Sequence, residues 1–328
     1  MNLKTFQQLH EDGFISDDSL MKVESLEKAR LFSLHWELKT LLYLGVTLLS
    51  GGLGILVYKN IETIGHQAIL AFIALVSIGC FYYCRRKAAP FSLGKVQSPN
   101  SFFDYILLLA CLTMLTFFGY LQYAYSVFGE HYGLATFIPM VILFFSAYSF
   151  DHIGILSLAI TNLAAWIGLS IAPMRMLTGN YFEQSKTIYA GIAVGMLLLL
   201  TAAMSEKNNI KKHFEFTYRN FGTHIIFIAT LAGLFTHEQF YLMWFLLLLA
   251  ITFFVYLGAM KMKSFYFLLL ALLYTYLGLS WVVIQILDHM RLSESGIYLG
   301  LLYFIFSAIG LVRLLIVVNR KMKTNDRV

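Results

Sequence analysis

Runs of about 20 apolar residues recur along this chain from residue 41 onward, and they constrain its fold more than any other feature. A helix needs roughly 20 such residues to cross about 30 Å of hydrocarbon. Hydrocarbon offers backbone amides no hydrogen-bond partner, so each run must be helical. The sequence therefore predicts an all-α fold, a polytopic transmembrane helical bundle of about ten spans. The runs are residues 41–58, 67–84, 102–125, 133–150, 153–171, 187–204, 222–235, 240–258, 264–287 and 297–318.

The composition agrees with a chain surrounded by lipid. Hydrophobic residues make up 59% of the chain and charged residues only 13%, whereas soluble proteins have roughly 45–50% and about 25%. The net charge of +6 does not indicate nucleic-acid binding, because the basic residues concentrate in particular connections between the runs. We expect the lipid bilayer as a partner, and no nucleic acid.

The distribution of lysine and arginine predicts the orientation of the bundle. With the N-terminus inside, 20 of the 24 basic residues lie on the cytoplasmic side and four lie outside. Such an excess is the positive-inside signal of membrane proteins. We therefore predict that both termini are cytoplasmic. The predicted regions are a cytoplasmic N-terminal helical segment at 1–40, the transmembrane bundle at 41–318 and a basic cytoplasmic tail at 319–328.

The N-terminal polar segment has the pattern of two short helices. Gly13 can end the first helix in the left-handed conformation, and Ser16 can cap the second, with two acids in its first turn. One interpretation is a helical hairpin that lies on the membrane surface or on the bundle. The other is a docking element through which residues 1–38 bind a cytoplasmic protein.

The same region resembles a known family. Leu9, Gly13, Ile15 and Ser16 form a Leu-x-x-x-Gly-x-Ile-Ser pattern, and a glycine-rich first span follows, up to Gly52-Leu53-Gly54. Over about residues 5–75 the chain is similar to the bacterial membrane proteins grouped as the domain of unknown function 2157 family. The resemblance implies a multi-pass protein of the bacterial inner (plasma) membrane. It implies no activity and assigns no catalytic residue.

Several loops on the predicted outer face contain a histidine, often beside an acidic residue. Imidazole paired with carboxylate suits proton relay, metal ligation or general acid–base catalysis, although short loops are polar in any case. Thr236 and Gln239 also fit a capping box at the start of a helix. We predict no metal site and no cofactor. The candidate catalytic residues are His66, Glu130, His131, His237, Glu238, Asp288 and His289.

Polar residues within or beside the apolar runs are further candidates. Asn162 and Thr161 lie near the middle of one run and Gln285 lies near the outer end of another, so each could contact a substrate or join two helices. Asp104 is predicted to cap a helix together with Ser101. Asp151 is predicted to cap the helix that follows it, with a proton relay through the adjacent histidine as the alternative.

Three classes of function fit these patterns. A transporter-like or lipid-handling protein agrees best with a chain that is nearly all membrane bundle. A membrane-embedded enzyme could act on a lipid-linked substrate at the outer face, and a scaffold or sensor could use the N-terminal segment. The chain contains no nucleotide-binding motif, which argues against an ATP-driven pump. The sequence favours a non-enzymatic function and leaves the enzyme open.

Overall fold

The computed structural model describes residues 10, 12, 14–19, 21, 35–129, 132–171, 185–289 and 294–324. These residues form ten long helices, with short 3-10 helices at Lys212–Phe214 and Glu238–Phe240, and they contain no strand. The predicted all-α fold is confirmed. The long helices are α1 His35–Ile64, α2 His66–Lys87, α3 Ser101–Tyr125, α4 Tyr132–Phe150, α5 Ile153–Ile171, α6 Ser185–Asn208, α7 Glu215–Thr236, α8 Tyr241–Lys261, α9 Phe265–His289 and α10 Glu294–Thr324.

Each of the ten apolar runs overlaps one of these helices, and six of them start within one residue of it; α1, α6, α7 and α10 begin two to seven residues before the predicted run. Eight of the helices are long and apolar enough to cross a membrane, namely α1, α2, α3, α4, α6, α8, α9 and α10. The apolar part of α5 is shorter, at Ile153–Gly168. Helix α7 begins with polar residues at the sequence Glu-Phe-Thr-Tyr-Arg-Asn, which lowers its average hydropathy. The chain is thus a multi-pass helical membrane protein.

The chain divides into two compact units, residues Met1–Asn60 and Ile61–Val328. In the first unit, His10 Nε2 lies 2.6 Å from Asp17 Oδ1, and residues 17–19 are helical directly after Ser16. Ser16 Oγ lies 3.1 Å from Ser19 Oγ. Gly13 and most of the predicted N-terminal hairpin lie outside the described residues.

The second unit is built from antiparallel neighbours, in which α2 packs on α3, α4 on α5, α6 on α7, and α8 on α9. Helix α7 is at the centre of the later part, because it contacts α5, α6, α8 and α9. Its buried side chains belong to two apolar clusters, one shared with α2–α6 and the other with α6, α8 and α9. A helix covered by protein on several sides needs fewer apolar residues than one that faces lipid.

Glycines let α6 and α7 approach closely. A Cβ atom added to Gly195 would lie 2.8 Å from the backbone nitrogen of Ile226, and one added to Gly222 would lie 3.0 Å from the carbonyl oxygen of Gly195. Inside a bilayer no hydrophobic force drives helices together, so they associate through van der Waals contacts. Small residues at a crossing allow the two backbones to approach closely enough to make those contacts. The α6–α7 pair is therefore closely packed at this crossing.

The connections of the second unit meet at two opposite ends. At one end, the connections 88–100, 151–152 and 209–214 contact one another, through Lys211 N–H donating to the Leu93 carbonyl at 2.7 Å and through Asp151. We call this the triple-loop end. At the opposite end, His66 at the start of α2 contacts Tyr120 near the end of α3, and Ser185 at the start of α6 contacts His237.

Candidate functional site

A chain of hydrogen-bonded polar side chains runs along the contact between α7 and α9. His224 Nδ1 lies 2.8 Å from the Tyr274 hydroxyl, and His224 Nε2 lies 3.4 Å from the Tyr266 hydroxyl. Tyr266 in turn donates to Asn220 Oδ1 at 2.7 Å. We call these four residues the His224 chain. It combines an imidazole with two phenols, which are groups that can accept and release protons.

Each group of the His224 chain donates its proton to the next group in the same order, from Tyr274 to Asn220. Tyr266 uses its only proton to donate to Asn220, so its oxygen can only accept from His224. In the neutral imidazole the proton must then be on Nε2, which leaves Nδ1 to accept from Tyr274. The protons are therefore ordered from Tyr274 toward Asn220. Such an ordered chain can pass a proton along its length.

The His224 chain begins with half-buried residues at about mid-length of α7 and α9 and ends near the first turns of these two helices. His224 is nine residues after the start of α7, or about 13 Å along the helix axis. Tyr274 is nine residues after the start of α9, and Tyr266 is the second residue of that helix. The ring of Tyr274 stacks on Phe227, with centroids 5.0 Å apart and planes 4° apart. The apolar stacking fixes the inner end of the chain.

Two ion pairs lie next to the Asn220 end of the His224 chain. Arg219, next to Asn220 in sequence, donates through Nε to Glu215 at 2.6 Å and through Nη2 to Glu206 at 3.0 Å. Glu206 lies near the end of α6, so Arg219 joins α6 to the first turn of α7. This guanidinium is mostly buried, which strengthens its pairing relative to an exposed pair.

A buried ionic cluster ties the three connections together at the triple-loop end. Asp151 forms an ion pair with Lys211 Nζ at 3.2 Å, contacts His213 Nε2 at 2.5 Å, and accepts a hydrogen bond from the backbone N–H of Val96. The side chains of Asp151 and Lys211 are each only 1% exposed. A carboxylate that is almost completely buried needs these three partners to offset the loss of its hydration.

The backbone around Asp151 explains how the carboxylate reaches this position. Asp151 has a φ of 57°, and the N–H of His152 donates to the carbonyl of Ala147, so residue 151 ends α4 in a Schellman motif. The N–H of Ile155 donates to His152 Nδ1 at 3.2 Å. The prediction that Asp151 caps α5 is therefore wrong. His152 is the cap, because Asp151 is engaged by residues from the other two connections.

Asp104 also has a different role from the predicted one. The side chain of Asn100 accepts from the N–H of Phe103 and caps α3, so the predicted Ser101–Asp104 cap is wrong. Asp104 is 9% exposed, and His152 Nε2 lies 3.9 Å from its Oδ1. Since His152 accepts at Nδ1, its neutral ring presents N–H at Nε2 toward Asp104. The pair is a second buried acid–histidine contact beside the ionic cluster.

Three histidines of the predicted outer-face set have local partners. His66 Nδ1 lies 2.7 Å from the Tyr120 hydroxyl, and His237 Nε2 lies 3.0 Å from Ser185 Oγ. His289 Nδ1 donates to the Gln285 carbonyl one turn earlier in α9. Glu238 and Asp288 are exposed. Glu130 and His131 lie outside the described residues, and the catalytic role of the whole set stays a prediction.

The local structure around His237 differs from the predicted capping box. Thr236 Oγ1 donates to the Ala232 carbonyl, one turn back in α7, and no side chain caps the 3-10 helix Glu238–Phe240. The His237 ring stacks on Trp244 with centroids 5.5 Å apart. The predicted cap is wrong, because Thr236 belongs to the last turn of α7.

The predicted binding residues near the membrane interior have the following contacts. Asn162 Nδ2 donates to the Thr136 carbonyl at 2.8 Å and so joins α5 to α4. Thr161 Oγ1 donates to the Ser157 carbonyl within its own helix. Gln285 is half-buried on α9. Substrate contact by any of the three stays a prediction.

Two of the groups described above are absent from the predicted site residues, and they differ in how far the sequence marks them. His224 is the only histidine inside its apolar run, which is itself the signal of a buried ionisable group. The Asp151–His213 contact joins residues 62 positions apart, and no short-range pattern marks it. Within the described part of the chain, no cluster of three or more His, Cys, Asp or Glu residues could hold a metal ion.

Comparison with known proteins identifies the N-terminal part of the chain. The family model described as predicted membrane protein (DUF2157) matches residues 7–156. No curated protein and no solved structure matches. The matched region includes Asp104 and Asp151, whereas the His224 chain lies beyond it. This match confirms the resemblance to that family predicted from the Leu9–Ser16 pattern and the glycine-rich first span, over residues 7–156 in the N-terminal part of the chain.

Proposed function

We propose that this multi-pass membrane protein is a transporter-like or lipid-handling protein in which the His224 chain carries protons between the bundle interior and the triple-loop end. The observation that carries the proposal is the ordered hydrogen-bonded series from Tyr274 through His224 to Tyr266. Ionisable residues inside transmembrane helices are rare and mark proton relays and substrate paths. A structural role alone would not require a titratable ring between two phenols.

The proposed topology has ten spans with both termini in the cytoplasm of a bacterium, which makes the triple-loop end cytoplasmic. The burial of α7 supports its inclusion as a span, since α5, α6, α8 and α9 cover its polar residues. The basic residues Arg85, Arg86 and Lys87 at the end of α2 support the orientation. The His224 chain would then connect mid-membrane to the cytoplasmic surface.

Proton movement in sealed vesicles tests the proposal. The full chain is reconstituted in proteoliposomes that contain a pH-sensitive dye, a potassium diffusion potential is imposed, and classes of metabolites and lipid precursors are added in turn. We expect at least one class to drive proton movement in the native protein. Replacing His224 with Gln keeps a polar side chain but removes the titratable ring, and it should abolish this movement.

Matched variants separate the relay from general damage to the fold. Tyr266→Phe breaks the chain by removing one hydroxyl, whereas Tyr298→Phe makes the same change at an exposed position on α10. His289→Gln changes an exposed histidine at the opposite end. Proton movement that survives in both His224→Gln and Tyr266→Phe would argue against the proposed function.

A further inference from the structure

A cleft opens at the triple-loop end beside the buried ionic cluster. Its volume is about 510 Å³, which is within the range of about 300–1,000 Å³ typical of small-molecule sites. Gly94 and Lys95 form one side, and Asn209, Lys212 and His213 form the other. The cleft therefore lies between two connections that the ionic cluster holds in place.

The charges that line the cleft are positive on balance. Lys95 and Lys212 are exposed, and neither has an ion pair with any other residue that the structure describes. Glu215 is the acidic residue of the lining, but Arg219 donates to its Oε1 at 2.6 Å. The carboxylate is thus already neutralised, while the two ammonium groups are available to a ligand.

The ionic cluster fixes the inner wall of the cleft. His213 uses Nε2 to contact Asp151, which is itself held by Lys211 and by the backbone of Val96. The ring is therefore held at the cleft wall by groups that are buried. Lys212 stands between Lys211 and His213 in the same 3-10 segment, so its backbone position is fixed by these contacts as well.

We propose that this cleft binds a phosphate group of an anionic ligand, with Lys95 and Lys212 as its cationic partners. Two ammonium groups from different connections fit the charge of a phosphate, which lysine binds as a point charge. The amide of Asn209 adds a neutral donor of suitable chemistry. Phe216, which is 52% exposed, gives the cleft an apolar margin that a lipid tail could contact.

Two sources could supply this phosphate, a phospholipid headgroup or a soluble phosphorylated metabolite. The inference extends the lipid-handling part of the proposed function, and it involves residues separate from the His224 chain. A headgroup would reach the cleft from the membrane surface, where anionic lipids also attract basic residues without a specific site. The experiment must therefore separate the cleft from general attraction to anionic lipid.

Binding to the full chain in nanodiscs provides the test. One arm adds phosphatidylglycerol to phosphatidylcholine nanodiscs, and the other adds inorganic phosphate or glycerol 3-phosphate to nanodiscs of phosphatidylcholine alone. Binding is read from the unfolding temperature and from a titration. We expect one arm to bind, and we expect the double variant Lys95→Gln with Lys212→Gln to weaken that binding by roughly 10-fold or more.

Controls make each outcome decisive. Lys261→Gln removes an exposed lysine at the end of α8, outside the cleft, and should leave binding within about two-fold if the cleft is specific. His224→Gln should also leave phosphate binding intact, so a failure of the relay is distinguished from a failure of this site. The proposal is overturned if neither arm binds, if the double variant binds as the native protein does, or if Lys261→Gln weakens binding equally.

Discussion

At the scale of single residues, Asp151 shows how one carboxylate can hold three distant segments. It forms an ion pair with Lys211 and hydrogen bonds with His213 and the Val96 backbone, while only 1% of its side chain is exposed. A buried pair of this kind contributes little net stability, but removing one partner leaves a buried charge without compensation, at a cost of about 3–5 kcal/mol. The cluster is therefore sensitive to any single change.

The first prediction is that Asp151→Asn lowers the free energy of unfolding by about 3–5 kcal/mol, because Lys211 stays buried without its counter-charge. Thermal and denaturant unfolding of the purified protein in detergent would measure the change. Asp288→Asn, at an exposed acid, should have an effect of less than about 0.5 kcal/mol. The pair Asp151→Leu with Lys211→Met should recover much of the loss, and a double variant as unstable as the single one would contradict this account.

The same residue explains why the candidate site was only partly predictable. Tight turns often contain an aspartate that caps the next helix, and the sequence Asp151-His152 fits that pattern locally. The partners of Asp151 are 55 to 62 residues away, so no local pattern could reveal them. His224 was visible as an isolated histidine in an apolar run, but its tyrosine partners come from another helix.

At the scale of helices, the apolar runs determine most of the secondary structure, because a single segment that crosses a membrane must form an α-helix. Backbone groups that leave water must bond within their own helix, so the presence and approximate position of each helix follow from the apolar runs, whereas the exact ends do not. The order of contacts between helices requires more information. The glycines of α6 and α7 matter only once the two helices face each other, as Gly195 does with Ile226.

The second prediction is that Gly195→Ala lowers the free energy of unfolding by about 1–3 kcal/mol, since the new Cβ would meet the Ile226 backbone. The matched change Gly79→Ala is in the interior of α2, where a Cβ meets no described atom within 4 Å. That control should be neutral or stabilising by up to about 1 kcal/mol, because alanine favours helix over glycine. Equal unfolding temperatures for the two variants would count against close α6–α7 packing.

At the scale of the whole molecule, the alternation of helices places chemically different residues at the two ends of the bundle. The triple-loop end contains the ionic cluster, the cleft beside it and the Tyr266–Asn220 end of the His224 chain. The opposite end has His66 with Tyr120 and His237 with Ser185. Which end faces the cytoplasm decides the direction in which a proton would travel along the chain.

The third prediction concerns that orientation and follows from the excess of lysine and arginine at the triple-loop end. Single cysteines at Ser92 and Asn209 in a chain without Cys80, Cys84 and Cys111 should resist a membrane-impermeant maleimide in intact cells. They should react once the membrane is permeabilised. Cysteines at the exposed positions Ser126 and Gln239, at the opposite end, should react from outside.

Cysteines at residues 92 and 209 must also react from the same side of the membrane, whichever way the protein inserts. Residues 92 and 209 belong to connections joined by the Lys211–Leu93 hydrogen bond, and an even number of helices separates them, namely α3, α4, α5 and α6. If α5 failed to span, Ser92 and Asn209 would react from opposite sides. Labelling of both from outside would reverse the proposed orientation. Because the apolar part of α5, at Ile153–Gly168, is shorter than that of a full span, this comparison is a direct check on α5.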